Sequence, residues 1–284
     1  MDLVDRLLQK GFDRVLVLDA AQTGTPGQRL ILAVRFYQAE TEERRDHPWI
    51  HPYYPASQEA YRAARDAAKE LNLQGCNENR LKPLFARLAP FQSGRNTLSY
   101  LSGAGSRFHV QQLASDEPLP VTNRLLPEAK PNFCGSCRRC MEACPAGAIR
   151  EDGFHRELCL RNWQLNGQPV PEALREKMGM QLLGCDSCQR CCPHQPVPKG
   201  APAAVPSLHA LLTDVRGAAA ILSPLIGSNM ARPGRLLAQA CLLAAEAPEE
   251  RDVLRQLTEH PNQTVAEHAR WALRRQVAGA DGSL

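Results

Sequence analysis

At 284 residues, with 43% apolar and 23% charged side chains, the chain has the length of about two domains and a globular composition, which excludes disordered and collagen-like classes. A net charge of +4 excludes a basic nucleic-acid surface spread over the whole molecule, so any such surface has to be local. No apolar run approaches the roughly 20 residues of a bilayer span, and "MDLVDRLLQKG" lacks the basic start and apolar stretch of a signal peptide, so the chain is expected in the cytoplasm with no membrane partner.

In chain order, residues 2–10 predict a short amphipathic helix, with Leu3, Val4, Leu7 and Leu8 on one face and Gly11 ending it. "RVLVLDA" (14–20) and "RLILAVRFY" (29–37) are β-rich runs on either side of a Gly/Pro turn. "SQEAYRAARDAAKEL" (57–71) predicts a helix capped by Ser57, with Ala60, Ala64, Ala67 and Leu71 inward. A shorter helical piece follows near 82–88. "NTLSYL" and "RFHVQQL" then read as two strands around the turn "SGAGS", whose two glycines lack the third glycine and the helix of a nucleotide loop.

Four prolines mark 115–131 as a connector, and "PHQPVPKGAPAAVP" (193–206) marks a second boundary. Beyond it the pattern is helical. Pro233 opens a helix with Leu236, Leu237, Ala240, Leu243, Ala244 and Ala247 on its apolar face. Pro248 opens another that ends near His260. Thr264 to Glu267 has the form of a capping box before a third, with Val265, Ala269, Ala272 and Leu273 inward. The expected class is α+β: an N-terminal α/β domain over 1–114, a linker over 115–131, a cysteine domain over 132–198 and HEAT-like helices over 207–284.

Eleven cysteines in a reducing compartment point to metal or redox chemistry before disulfides. Cys134, Cys137, Cys140 and Cys144-Pro145 form the run C-x2-C-x2-C-x3-C-P, in which the fourth cysteine ligates a different iron–sulfur cluster from the first three. Cys185, Cys188 and Cys192-Pro193 repeat the end of that motif, and Cys159 stands between the two sets. A reciprocal assignment gives one 4Fe–4S cluster Cys134, Cys137, Cys140 and Cys192, and the other Cys144, Cys159, Cys185 and Cys188. Cys191 is an alternative to Cys192, which the following proline favours. Structural zinc uses separated cysteine pairs and fits three equally spaced thiols poorly. Cys76 and Cys241 are expected in the apolar core. Two closed cubanes carry single electrons, which requires a donor and an acceptor.

"GRNTLSYLSGAGSRFHVQQLASDEPLP", "CGSCRRCMEACPAGAI", "GCDSCQRCCPHQ" and "ARWAL", in that order, resemble the epoxyqueuosine reductase family, itself related to corrinoid reductive dehalogenases. The resemblance covers roughly 82–275. It implies a cobalamin-binding domain ahead of a double 4Fe–4S domain, with HEAT-like helices that help hold a tRNA. The implied reaction reduces epoxyqueuosine in tRNA to queuosine. An electron donor such as a ferredoxin or flavodoxin is implied as well. Arg95, Asn96 and Ser106 match the segment near the corrinoid and are the expected cofactor contacts.

The sequence also departs from that family. Its Asp-Ser/Thr-x-Pro motif, with the proposed proton-donating aspartate, falls here on Gly75, and its Ala-Gly-Leu-Gly turn is replaced by "LAPFQS" (88–93). Glu78 substitutes for the aspartate only across a gap, and otherwise reads as a surface glutamate. The family's C-P-W-N becomes Cys192-Pro193-His194-Gln195, where His194 either tunes a cluster by hydrogen bonding or sits in a solvated loop. "RPGR" (232–235) and "RWALRR" (270–275) are the local basic segments that a tRNA backbone would use. The alternative function is a ferredoxin-like electron carrier that has lost cobalamin and tRNA, or a reductase for another acceptor.

Overall fold

The run Leu30 to Val34 is apolar at every position, a pattern that places a strand between two covered faces. The computed structural model, which describes residues 2–25, 27–39, 47–76 and 80–280, places it there. Strand Arg29–Phe36 is flanked by Arg14–Asp19 and Phe108–Ser115, and Gln74–Gly75 completes a four-stranded sheet at the far edge of Phe108–Ser115. Every pairing in this sheet is antiparallel, with Leu16 opposite Leu32 and Leu32 opposite Gln112. The N-terminal part is therefore α+β, which corrects the α/β expectation.

Alternate residues serve the two faces, as a period of two requires. Leu16, Leu18, Leu30, Leu32 and Val34 pack with Phe85, Leu88 and Phe91. Val15, Val17, Ile31, Ala33 and Leu113 pack with Leu7 and the alanine stripe Ala60, Ala64 and Ala67. Phe85 and Phe91 stack at 4.0 Å, and burial of each large side chain stabilises this layer by roughly 1.5–3 kcal/mol.

Helices Leu3–Gln9 and Leu81–Ala86 form as the patterning predicts. The long helix runs Tyr53–Glu70 and begins four residues before Ser57, so Ser57 is not its cap. Pro55 falls in the first turn, where its missing N–H has no helical partner to lose, and His51 Nδ1 accepts the Tyr53 N–H. The expected pairing around "SGAGS" is also different. Strand Ser99–Leu101 pairs with Phe91–Ser93, and Phe108–Ser115 inserts into the large sheet. The backbone N–H groups of Ala104 and Gly105 both donate to the Leu101 carbonyl, and this tight reversal parts the two strands.

The chain divides into two compact units: Met1–Ala39, Pro55–Cys140 and Cys188–Gly200, and Glu40–Tyr54, Met141–Ser187 and Ala201–Leu284. The second is mainly helical. Its core joins helices Leu208–Thr213, Val215–Ile226, Pro233–Leu243, Arg251–Leu257 and Gln263–Ala280 to the parallel pair Trp49–Ile50 and Gln181–Leu183. Helix Pro233–Leu243 opens at its proline as expected and lies against Gln263–Ala280. That last helix is capped by Asn262, whose Oδ1 accepts from Thr264 and Val265, so the expected capping box at Thr264 lies two residues too late. Pro248 opens a short 3-10 turn before helix Arg251–Leu257.

Candidate metal centre

Cysteines three apart on a short loop present their thiols around a common space, and the structure shows that space. In the first unit, Cys134, Cys137, Cys140 and Cys192 line one cavity together with Tyr100 and His194. This is the sequence-derived ligand set of one cluster. None of the described cysteines is in a disulfide. Among the described residues, no three His, Cys, Asp or Glu side chains converge on a single-ion site; the thiols stand around a cavity instead.

The electrostatics of the cavity suit a cationic core. Burial pushes the Cys140 thiol up to about 11, and the neighbouring Cys191 and Cys134 add to the rise. Four crowded soft donors are mutually repulsive as bare thiolates, and iron relieves that repulsion. The Arg95 N–H donates to Cys134 Sγ at 3.2 Å, and the Arg95 guanidinium donates to the Gly135 carbonyl at 3.1 Å. The donor set and its N–H···S bond fit a 4Fe–4S cluster.

In the second unit, Cys144 Sγ accepts the Ala148 N–H at 3.2 Å. Burial raises the Cys185 pKa, hydrogen bonds from Ser187 oppose the rise, and the charges of Asp186 and then Cys159 add to it. Beside Cys159, Tyr54 is pushed up to about 12, chiefly by burial, and accepts a hydrogen bond from Arg161 Nε. Cys188, the first residue of the last segment of the first unit, lies on the short helix Ser187–Arg190. Cys76 and Cys241 are buried core residues, as expected.

Cys191 and Cys192 occupy different places. Cys192 lines the cavity, whereas Cys191 directs its thiol to the Cys188 carbonyl at 3.6 Å. Burial, then the adjacent Cys192, raises the Cys191 pKa, so it stays a neutral thiol beside the cavity.

Asn96 and Ser106 have partners that sequence reasoning missed. Asn96 Nδ2 donates to Tyr100 Oη at 2.9 Å and to the Cys188 carbonyl at 3.0 Å. Ser106 Oγ receives the Gln189 amide at 2.8 Å and the Gln195 amide as well. Both side chains are buried and their polar groups clamp the segment carrying Cys188 and Cys192. These bonds take up the side-chain polar groups of both residues. Arg95, expected with them, bonds to Cys134 Sγ and the Gly135 carbonyl of the first cysteine loop.

Gly105 belongs to the same clamp: at φ +59, a Cβ there would sit 2.3 Å from Gln195 Oε1 and 2.8 Å from the His194 carbonyl. The "GAG" turn is thus a site of close backbone approach, which the third-glycine test alone does not reveal. His194 packs edge-on against Phe133 at 4.5 Å and lines the cavity.

Gly75 is exposed on the short edge strand, with nothing within 4 Å of a Cβ built on it. No carboxylate stands at the aspartate position, and Glu78 lies outside the described residues. "LAPFQS" forms a turn and strand whose Leu88, Ala89 and Phe91 carbonyls all accept from Lys130 Nζ.

A second polar feature lies in the helical unit. Arg232, Arg235, Asn262 and Thr264 line an open groove at the starts of helices Pro233–Leu243 and Gln263–Ala280. Arg232 and Arg235 are both aligned by Asn229, through its Oδ1 at 2.8 Å and its carbonyl at 3.1 Å. The other basic segment is already paired: Arg270, Arg274 and Arg275 face Glu259, Glu172 and Glu176. Among the described residues, no helix is long and apolar enough to cross a membrane.

Residues 133–195 match the 4Fe-4S double cluster binding domain. An epoxyqueuosine reductase of Burkholderia pseudomallei is 39% identical over 119 residues, 39% of this chain and 29% of that protein. One from Shewanella oneidensis is 30% identical over 220 residues, 70% of this chain and 53% of that protein. Over these stretches the chain is similar to the epoxyqueuosine reductases.

The matched stretches span less than two thirds of either curated relative's length. A selenomethionine-labelled epoxyqueuosine reductase crystal structure superposes with a TM-score of 0.78 at 17% identity, over 98% of this chain and 91% of that one. A second epoxyqueuosine reductase, solved with an epoxyqueuosine-modified tRNA-Tyr stem loop, gives 0.70 at 16% identity, over 96% and 89%. The epoxyqueuosine reductase fold therefore extends across almost the whole chain, beyond the cluster domain where the sequence match concentrates.

Proposed function

We propose that this chain is an iron–sulfur reductase of the epoxyqueuosine type, reducing the epoxide of epoxyqueuosine in tRNA to give queuosine. The single observation that carries the proposal is the cavity lined by Cys134, Cys137, Cys140 and Cys192, within a chain that carries the double-cluster domain on an epoxyqueuosine reductase fold. Those four thiols hold one cluster, and Cys144, Cys159, Cys185 and Cys188 hold the other. With every iron ligated by cysteine, the clusters pass single electrons and leave no open position for substrate.

Conversion of an epoxide to an alkene consumes two electrons and two protons and releases the oxygen as water. Each turnover therefore draws two single-electron transfers, supplied by a small carrier such as a ferredoxin or flavodoxin. Cobalamin contact is assigned to the segment of Arg95, Asn96 and Ser106, which also holds the loop carrying Cys188 and Cys192 through Asn96 and Ser106. Contact with the tRNA backbone is assigned to Arg232 and Arg235, whose guanidinium groups lie at two helix starts. The helices from Leu208 onward serve as the HEAT-like support for that contact.

The test is nucleoside analysis of tRNA from a bacterial strain deleted for its epoxyqueuosine reductase. Expression of this chain is expected to replace epoxyqueuosine with queuosine. Persistence of the epoxide, with the chain present and loaded with iron, would overturn the proposal.

A further inference from the structure

The short hairpin of strands Phe91–Ser93 and Ser99–Leu101 is bonded to three consecutive residues of the first cysteine loop. The Phe133 N–H donates to the Ser93 carbonyl at 3.1 Å. The Arg95 N–H donates to Cys134 Sγ at 3.2 Å, and the Arg95 guanidinium donates to the Gly135 carbonyl at 3.1 Å. One residue thus grips a cysteine sulfur from its main chain and the next loop residue from its side chain.

The turn holds that grip still. The Gly94 N–H donates to the Leu98 carbonyl at 2.9 Å, and the Thr97 N–H donates to the Gly94 carbonyl at 3.0 Å. Asn96 Oδ1 accepts the Leu98 N–H at 3.3 Å, while its Nδ2 donates to the Cys188 carbonyl at 3.0 Å. A Cβ at Gly94 would stand 2.7 Å from both Asn96 Oδ1 and Tyr100 Cε2, so the turn has no room for another residue there. Gly135 adopts φ +55, which glycine reaches without strain.

We infer that Arg95 is a positioning residue for the first cluster, whose cationic side chain, fixed on the first cysteine loop, raises that cluster's reduction potential. The inference rests on the reading above, in which Cys134 is a cluster ligand. Reduction adds one electron to a core already surrounded by thiolates, so a neighbouring cation stabilises the reduced state more than the oxidised one. The Arg95 N–H acts in the same direction, because sulfur accepts more strongly as its negative charge grows. The electron comes from the external reductant, and no proton moves. Arg139 lines the same cavity as a second cation and stays in place in the variants that test the first.

The test is an EPR-monitored redox titration of the anaerobically purified full-length chain, without added cobalamin, beside Arg95→Gln and Arg95→Lys. The first cluster's midpoint is identified as the one missing from Cys192→Ser. Arg95→Gln is neutral but can still donate to the Gly135 carbonyl. It is expected to keep its iron, to lose about tenfold in the reduction equilibrium of the first cluster, about 59 mV for one electron, and to leave the other unchanged. Arg95→Lys keeps the charge and is expected to restore most of that loss. A first midpoint in Arg95→Gln equal to the parent's would overturn the inference. So would an equal fall in both variants, which traces the effect to the shape of the guanidinium, or loss of iron from either, which marks a structural role. A parent holding four irons would overturn the ligand assignment, and the inference with it, and is told apart by that iron content.

Discussion

Gln189 donates its amide to Ser106 twice, to the hydroxyl at 2.8 Å and to the carbonyl at 3.2 Å, joining the segment between Cys188 and Cys192 to the turn after Gly105. Tyr37 Oη takes the same amide at 3.3 Å. A Gln189→Leu variant leaves buried acceptors unpaired, and each costs about 1–3 kcal/mol. We expect a loss of about 2–4 kcal/mol in chemical denaturation, with weaker retention of iron on gel filtration. A Gln189→Leu protein as stable as the parent would show that the clamp carries no load.

The neighbouring cysteines separate the cluster ligands from their bystander. Cys192→Ser removes a ligand facing the cavity and is expected to lower iron from about eight to about four per chain. Cys191→Ser leaves iron unchanged, because its thiol is directed to the Cys188 carbonyl. Iron and sulfide analysis of the two variants checks this, and the reverse pattern would exchange their roles.

His268 is expected to make the helical unit sensitive to acid. Its Nδ1 donates to the Ala238 carbonyl at 2.9 Å and its Nε2 accepts the Val170 N–H at 3.0 Å, an arrangement open only to the neutral ring. Burial lowers its pKa to about 4, from about 6.5 in the unfolded chain. Between those values the unfolded chain binds the extra proton, so stability is present above pH 6.5 and is lost as pH falls toward 4. From pH 7 to pH 5 this ring accounts for about 2 kcal/mol. Urea midpoints at the two pH values should differ less in His268→Leu than in the parent; an equal difference would discount the ring.

Arg232 and Arg235 give a prediction about salt. Each guanidinium that neutralises a phosphate contributes about one unit to the slope of log affinity against log salt. Replacing both with alanine is expected to weaken tRNA binding about 10- to 100-fold at low salt and to flatten the slope by about one to two units. Arg274→Ala, at a position already facing Glu172, should change little. Filter binding across a salt series distinguishes the two.

Much of the first unit was legible because its signals are local. The continuous apolar run Leu30–Val34 marks a central strand, and Ala60, Ala64 and Ala67 mark a helix face that approaches a sheet closely. The cysteine spacings identified the cavity's four thiols, because ligand geometry is encoded in short loops. What stayed hidden depends on partners distant in sequence. Asn96 meets the Cys188 carbonyl, Ser106 meets Gln189 and Gln195, and Gly105 yields to the His194 backbone; no window around any of them contains its partner. Strand pairing failed for the same reason: the turn after Leu101 looks like a hairpin until Phe91–Ser93 is available to pair. Local rules also missed the start of the long helix, where Pro55 is harmless in the first turn, and the cap at Asn262, two residues ahead of a plausible threonine.

Two cubanes within one chain are the foundation of the whole account, and anaerobic iron and acid-labile sulfide analysis, with EPR of the dithionite-reduced protein, tests them most directly. The account predicts about eight irons and about eight sulfides per chain, with two interacting paramagnetic centres after reduction. Four irons with a single isolated centre, or zinc in place of iron, would contradict it.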